Sequence, residues 1–381
     1  MSDIQKIQEA ALELHKTHHG KIEVTPKMQI LTNYDLALAY TPGVGAVSSL
    51  LGKHPELASE YTLKHNTVAV ISDGSAVLGL GNIGAEGAIP VMEGKALLFK
   101  ELAGVDAFPI CLRTQDPDEI IETIINISPV FAAINLEDIS APNCFYIEKE
   151  LKKRLNIPVV HDDQHGTAVV VLAGLTNAIK LRGWQKEEAR IVINGAGAAG
   201  ISVAELLHEA GFGHITVCDS KGIVGKHRSD LNSEKQQVLA YTNLENTTGT
   251  LENALEGAHI FIGLSAAGAL KPEYIQHMQK EPIIFALANP IPEILPDEAY
   301  AAGAFLVATG RSDYPNQINN ALTFPGIFRG ALQNKISQIT NTHFIKAAEV
   351  LANMVGTPSK EHILPDVLDK RVSVEIAKVI I

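Results

Sequence analysis

Two stretches of the chain end in adjacent acids after an apolar run. "INLEDIS" carries Glu137 and Asp138, and "VVHDDQHGTA" carries Asp162 and Asp163. Carboxylates gathered beyond the carboxyl ends of parallel strands repel one another unless a cation sits among them. An all-oxygen set suits Mg2+ or Mn2+, with substrate or water completing the shell. The other reading of such acids is that they cap the helices that follow, and the residues alone leave both open. His161 and His165 flank the second pair. A histidine there can donate to a metal-binding carboxylate or be an ordinary hydrogen-bonded residue, so no role is assigned. Amides follow apolar runs at Asn289 in "ALANPIPE" and at Asn316, Asn319 and Asn320 in "GRSDYPNQINNALTFPG". They suit carboxylate or carboxamide groups, or serve as turn residues. Tyr40, in "YDLALAYTPGVG", precedes a Pro–Gly turn.

A dinucleotide loop is spelled twice. Gly79-x-Gly81-x-x-Gly84 lies in "VLGLGNIGAEG", and Gly195-x-Gly197-x-x-Gly200 in "VINGAGAAGIS". Such a site needs a strand before the glycines, a helix after them, and an acid about 20 residues on to bind the ribose hydroxyls. The second copy has all three: "RIVIN", "ISVAELLHEAG", and Asp219 at the end of "ITVCD". Gly195, Ala196, Gly197, Ala198, Ala199 and Gly200 are therefore expected to cradle the pyrophosphate on the first helical turn. The copy at Gly79 has Arg113 where the acid should be, and Pro90 is expected to interrupt its helix. One nucleotide is expected, not two. Asp219 would repel the 2′-phosphate of NADP+ and so favours NAD+. Lys221, Lys226, His227 and Arg228 follow closely and could hold that phosphate if the loop folds back.

The elements that must position these residues are read from alternating apolar and helical stretches. Residues 67–72, 106–112, 130–136 and 157–163 read as buried strands, and so do 189–195, 214–220, 258–264, 282–289 and 304–310. Runs apolar on both faces and separated by helices indicate parallel sheet covered on each side. The expected fold class is α/β in two domains. Residues 1–164 form the first, residues 165–335 a Rossmann-type doubly wound parallel sheet, and residues 336–381 a helical segment packing back on the first domain.

The 381 residues are 46% hydrophobic and 19% charged, with a formal net charge of −12. That balance argues against nucleic acid or an anionic membrane surface as partners. No apolar run approaches the ~20 residues of a membrane span, and the start lacks the basic-then-apolar form of a signal peptide. Ile4, Ile7, Ala11 and Leu14 instead fall at helical spacing. Cys111, Cys144 and Cys218 lack metal-type spacing and are expected reduced and buried, as in a cytoplasmic protein.

Eight stretches, in order over roughly residues 20 to 335, resemble the malic enzyme family in its short microbial form. They are "YTPGV", "SDGSAVLGLGNIG", "PVMEGKALLFK", "INLEDISAPNCF", "PVVHDDQHGTA", "INGAGAAG", "ALANPIPE" and "SDYPNQINNALTFPG". The resemblance implies oxidative decarboxylation of malate to pyruvate with a nicotinamide cofactor and a divalent metal. It implies Lys95 as general base and Tyr40 as general acid, with Glu137, Asp138 and Asp163 as metal ligands. It places Asn289, Asn319 and Asn320 at the substrate and the nicotinamide, and assigns the Gly79 loop to the substrate pocket. It also implies a homodimer. Malolactic and oxaloacetate-decarboxylating enzymes share the scaffold and remain alternatives, and a silent nucleotide sensor is the reading from another class. Longer members carry an arginine at the position of Ala76, so another group must meet the substrate carboxylate here; Lys100, Arg113 and Arg311 are available. A base must be unprotonated near neutral pH, so Lys95 is expected to be depressed from its ordinary value of ~10.4.

Overall fold

The computed structural model describes residues 3–381, with side chains from residue 5 onward; the Ile4 side chain of the expected apolar stripe lies outside the described residues. Two sheets carry the chain. The first has four parallel strands, β1 (Thr67–Ser72), β2 (Asp106–Cys111), β3 (Ala133–Leu136) and β4 (Val159–His161), in the order β2-β1-β3-β4. The second holds β5 (Arg190–Asn194), β6 (His214–Asp219), β7 (Gly222–Ile223), β8 (Ile260–Gly263), β9 (Ile283–Ala286) and β10 (Leu306–Thr309). Its order is β10-β9-β8-β5-β6-β7, parallel except for the two-residue β7, which pairs antiparallel to β6. The expected strands are thus present, β1 over the expected residues and the others shorter. β4 stops at His161 because Asp162 and Asp163 already open the next helix.

Alternation along the strands explains why both faces are covered. Val68 and Val70 face one core cluster, while Ala69 and Ile71 face another with Ile134 and Leu136. The first cluster also takes Ile191, Ile193 and Ile260 from the second sheet, so a single apolar interior joins the two sheets. Between them runs the helix Asp162–Arg182, buried on nearly every side from Ala168 to Leu175. A helix apolar all round must be central. Its Asn177 donates from Nδ2 to the carbonyls of Ala352 and Ile363, both at 2.9 Å, which ties the C-terminal residues to this axis. Those residues also reach the helix Gly84–Ala103. The hydroxyl of Ser373 donates to Leu102 O, and Lys370 pairs with Glu101.

Pro90 does not interrupt that helix, contrary to expectation. It sits inside Gly84–Ala103, which continues for three turns beyond it. A proline inside a helix costs on the order of 3 kcal/mol. The buried stripe Ala85, Ala88, Met92, Ala96, Phe99 and Ala103 outweighs this by packing one face on the core.

The N-terminal arm contrasts with all of this. From Gln5 to Asn66 no residue is buried, and Leu12, Val24, Leu31 and Tyr34 are each more than two-thirds exposed. Cys144 and Cys218 are buried, Cys111 is half-buried, and all three are free. Among the described residues no helix is long and apolar enough to cross a membrane.

Replacing Asn177 with Ala leaves two carbonyls without this donor inside the protein. It should cost about 2–4 kcal/mol and lower the thermal midpoint by several degrees. A midpoint within about a degree of wild type would show that the C-terminal residues are held by apolar packing alone.

Candidate active site

The acids and Lys95 meet at the carboxyl ends of β3 and β4. One oxygen each of Glu137, Asp138 and Asp163 lies within 4.8 Å of the others. Glu137 follows β3 directly, and the amide of Asn135 holds its Oε2 at 3.0 Å. Asp138 has φ +54°, unusual for a residue with a side chain, and its backbone N–H donates to Asp163 Oδ2 at 2.8 Å. Its own Oδ2 is buried with no partner. Burial raises all three carboxyls above their ordinary values; repulsion from Asp163 adds to it at Glu137 and Asp138, and repulsion from Asp162 adds to it at Asp163. Three converging carboxylates, one with a buried oxygen that has no partner, fit a hard divalent ion such as Mg2+ or Mn2+.

Lys95 projects from the helix Gly84–Ala103 into this cluster and is 7% exposed. Its Nζ lies 2.6 Å from Asp162 Oδ2 and 2.8 Å from Glu137 Oε1. The same Nζ stands 4.3 Å from the centroid of the Phe324 ring. The neighbouring protein groups do not by themselves depress Lys95 as expected. Burial pulls it down, but Asp162, Glu137 and Asp163 together outweigh burial and hold it above its ordinary value. Asp162 is pushed up to about 7, chiefly by burial. A strong buried pair of this kind keeps the proton on nitrogen until the local negative charge is reduced.

Sequence alone does not tell Asp162 from Asp163; the structure does. Asp162 turns to Lys95 and Asp163 to the Asp138 amide. One signal was present in the spacing. Gly166 lies one helical turn after Asp162, and a Cβ there would collide with Asp162 Oδ1. Behind the pair, Glu148 accepts from the His161 N–H at 3.0 Å, from His165 Nε2 at 2.9 Å, and from Lys152 Nζ at 2.9 Å. His165 stacks on Phe344 with centroids 4.7 Å apart. His161 is fully buried, and burial lowers it to about 4.

The remaining candidates are distributed unevenly. Asn320 lies beside Gly166 at the acid cluster. Asn319 caps the turn Asn320–Leu322, its Oδ1 accepting from Ala321 N at 2.9 Å. Asn316 is structural: it donates to Val307 O and Lys360 O and accepts from Ile363 N. Asn289 is exposed at the end of β9, and its carbonyl touches the Gly79 backbone so closely that a Cβ on Gly79 would collide. The Gly79 loop is therefore a tight turn that brings the first sheet's loop against the second's. Arg311 donates to Pro290 O in the same loop and pairs with Asp313. Lys100 and Arg113 pair with Asp106 and Glu86 at the surface. Tyr40 is 67% exposed on the N-terminal arm, with no side-chain hydrogen bond among the described residues.

The Gly195 loop leaves β5 beside β8, where the strand order of the second sheet reverses and ligands bind. Gly195 has φ +129°, and a Cβ on Gly200 would collide with Gly195 O, so neither position accepts a side chain. Around Gly197 the space a Cβ would enter is open. That opening, at the start of the helix Ala198–Glu209, fits a pyrophosphate. Asp219 ends β6 as expected, but it is not free. Arg228 and Lys235 each approach it at 2.6 Å.

Comparison with known proteins agrees with this geometry. Residues 19–152 match the family model "Malic enzyme, N-terminal domain", and residues 164–381 match "Malic enzyme, NAD binding domain". The chain is 51% identical to a bifunctional malic/malolactic enzyme of Bacillus subtilis, over 98% of this chain and 92% of that one. It is 45% identical to an NADP-dependent malic enzyme of Haemophilus influenzae, over 98% of this chain and 52% of that longer one. The crystal structure of an NAD-dependent malic enzyme from Thermotoga maritima superposes with a TM-score of 0.94 at 48% identity, over 97% of this chain and 98% of that one.

Gly166→Ala forces Asp162 away from Lys95 while leaving the acids Glu137, Asp138 and Asp163 in place. Turnover should fall on the order of tenfold to a hundredfold, the scale of a displacement near 1 Å, with the thermal midpoint little changed. Wild-type turnover in this variant would show that Lys95 does not depend on Asp162.

Proposed function

Since this chain belongs to the malic enzyme family, we propose that it oxidises (S)-malate to pyruvate and carbon dioxide while reducing a nicotinamide dinucleotide. Glu137, Asp138 and Asp163 would hold Mg2+ or Mn2+, and the loop from Gly195 to Gly200 the pyrophosphate. The observation that carries the reading is Lys95 held between Glu137 and Asp162 beside three converging carboxylates. The division of labour follows the sequence reading: residues 1–164 for metal and malate, 165–335 for the dinucleotide, 336–381 bracing the first part.

A bound divalent cation supplies Lewis-acid polarisation of the C2 oxygen and stabilises the charge left on that oxygen when carbon dioxide departs. The chain's residues do the rest. Lys95 Nζ would take the C2 hydroxyl proton, and a bound nicotinamide would supply the acceptor for the C2 hydride. It must first give up its own proton, and Asp162 Oδ2, 2.6 Å away and raised toward neutrality, is placed to receive it. Tyr40 returns a proton to C3 at the end. Asn289, Asn319 and Asn320 offer amides to the substrate carboxylates and the carboxamide. NAD+ is the assigned cofactor, supported by the carboxylate of Asp219 at the end of β6. NADP+ remains open to it, as the name of the Haemophilus relative illustrates.

Purified protein given malate, Mn2+ and NAD+ should form NADH and pyruvate in equal amounts. Asp163→Ala should abolish that turnover and weaken Mn2+ binding, measured directly by paramagnetic resonance, by about tenfold or more. Absence of reduced cofactor at every pH between about 6 and 9 would overturn the assignment. Lactate formed without net NADH would redirect it to the malolactic reaction, the second activity named in the Bacillus relative.

We further assign a homodimer whose interface covers the N-terminal arm and borders the active site. The support is the uncovered apolar surface of Leu12, Val24, Leu31 and Leu38, together with Tyr40 standing in solvent. Three free cysteines suit a reducing cytoplasm. Light scattering should give twice the 40.9 kDa chain mass. A stable, fully active monomer after deletion of residues 1–20 would refute the dimer.

A further inference from the structure

Glu293 is fully buried beside the carboxyl ends of β8 and β9, and none of the roles assigned above uses it. Its carboxylate spans two loops. Oε1 accepts from the Ser265 N–H at 2.9 Å, just past the end of β8, and Oε2 accepts from the Ala288 N–H at 3.0 Å, just past the end of β9. The Ser265 hydroxyl also faces Oε1, at 3.4 Å. Gly263 makes room for this group, since a Cβ there would collide with the Glu293 carboxylate. Ser265 Oγ in turn accepts from Asn194 Nδ2 at 2.9 Å, and Asn194 ends β5 directly before Gly195. The Leu264 N–H donates to Asn194 O at 2.8 Å, and a Cβ on Gly195 would collide with Leu264 O. One carboxylate thus links the ends of three adjacent strands, β9, β8 and β5.

We propose that Glu293 is a positioning residue for this crevice: through the Ala288 N–H it fixes Asn289, and through Ser265 and Asn194 it fixes the Gly195 loop. The proposal rests on the malate-oxidising reading above, which puts Asn289 at the substrate and the nicotinamide. A buried charge is costly, and an apolar side chain would fill the same space without that cost. What a carboxylate adds is two acceptor oxygens in a fixed fork and no donor. Each oxygen takes the N–H of a different loop, so the width of the carboxylate sets the spacing between them. Glutamine has a single acceptor oxygen, and its NH2 would face one of the two N–H groups. Asn289 needs such a support. It is exposed, and its own side-chain bond, from Nδ2 to Leu287 O, is long at 3.4 Å.

The test measures kcat and KM for malate on the full chain. Separately, with no malate and no metal, it measures the dissociation constant of NADH by nicotinamide fluorescence. Glu293→Gln should lower kcat/KM about tenfold to a hundredfold, the scale of a displacement near 1 Å, and raise the NADH constant about threefold to tenfold. Asn289→Ala should lower kcat/KM by itself. In that background Glu293→Gln should cost at most about threefold more, because residues that act as one unit are not additive. Gly263→Ala displaces the carboxylate without removing it. It should reproduce the losses of Glu293→Gln, and it serves if that variant fails to fold. Losses that multiply in the double variant would make Glu293 a structural brace only and overturn the proposal. So would a Glu293→Gln variant with wild-type turnover and wild-type NADH binding. Wild type that neither binds NADH nor turns over malate would instead sink the malate-oxidising reading, and this proposal with it.

Discussion

Four carboxylates, three of them buried and Asp163 partly exposed, share a few ångströms with one lysine at the ends of β3 and β4. That imbalance is the constraint on which the rest of the structure depends. Glu137, Asp138, Asp162 and Asp163 are all raised above their ordinary values, mainly because burial penalises their charge. A single ammonium cannot offset four such groups. Much of the architecture keeps these acids together. Glu148 anchors the His161 backbone, Asn135 anchors Glu137, and the absence of a side chain at Gly166 leaves Asp162 its place.

The two sheets and the central helix follow from that requirement. The helix Asp162–Arg182 begins with the two acids and then runs as an apolar rod through the joint core. Any shift of the rod relative to β3 would separate Asp163 from the Asp138 amide. Packing it on nearly every side makes such a shift costly, because interiors are close-packed and resist displacement. The Gly79–Asn289 contact closes the other side of the cleft by setting backbone directly against backbone. Loops of the two sheets thus meet through a contact that leaves no room for a side chain.

The periphery is built differently. From Gln5 onward the N-terminal arm carries apolar residues outward and buries none of them. At the ribose end of the second sheet, charge is balanced locally by Asp219, Arg228, Lys235 and Asp230.

Much of this was legible in the sequence. Strand-length apolar runs separated by helices determined two parallel sheets, since segments apolar on both faces have to be covered on both. The Gly195 loop with Asp219 marked the nucleotide site, because only glycine satisfies the collision at Gly200 and the φ of Gly195. The types of the adjacent acids left two readings open, a cation site and caps for the helices that follow. Tertiary structure decided what depends on distance. Pro90 stays within its helix because the buried stripe around it outweighs the lost hydrogen bond. Lys95 is raised where chemistry called for it lowered, because Asp162 and Glu137 lie within 3 Å of it, and local sequence carries no information on pairs 67 and 42 positions apart. Asp219 reads as a free ribose acceptor until the loop folds back and sets Arg228 and Lys235 on it. Residue types fix which charges exist, whereas only the fold sets which of them meet, and Coulomb energy depends on that separation.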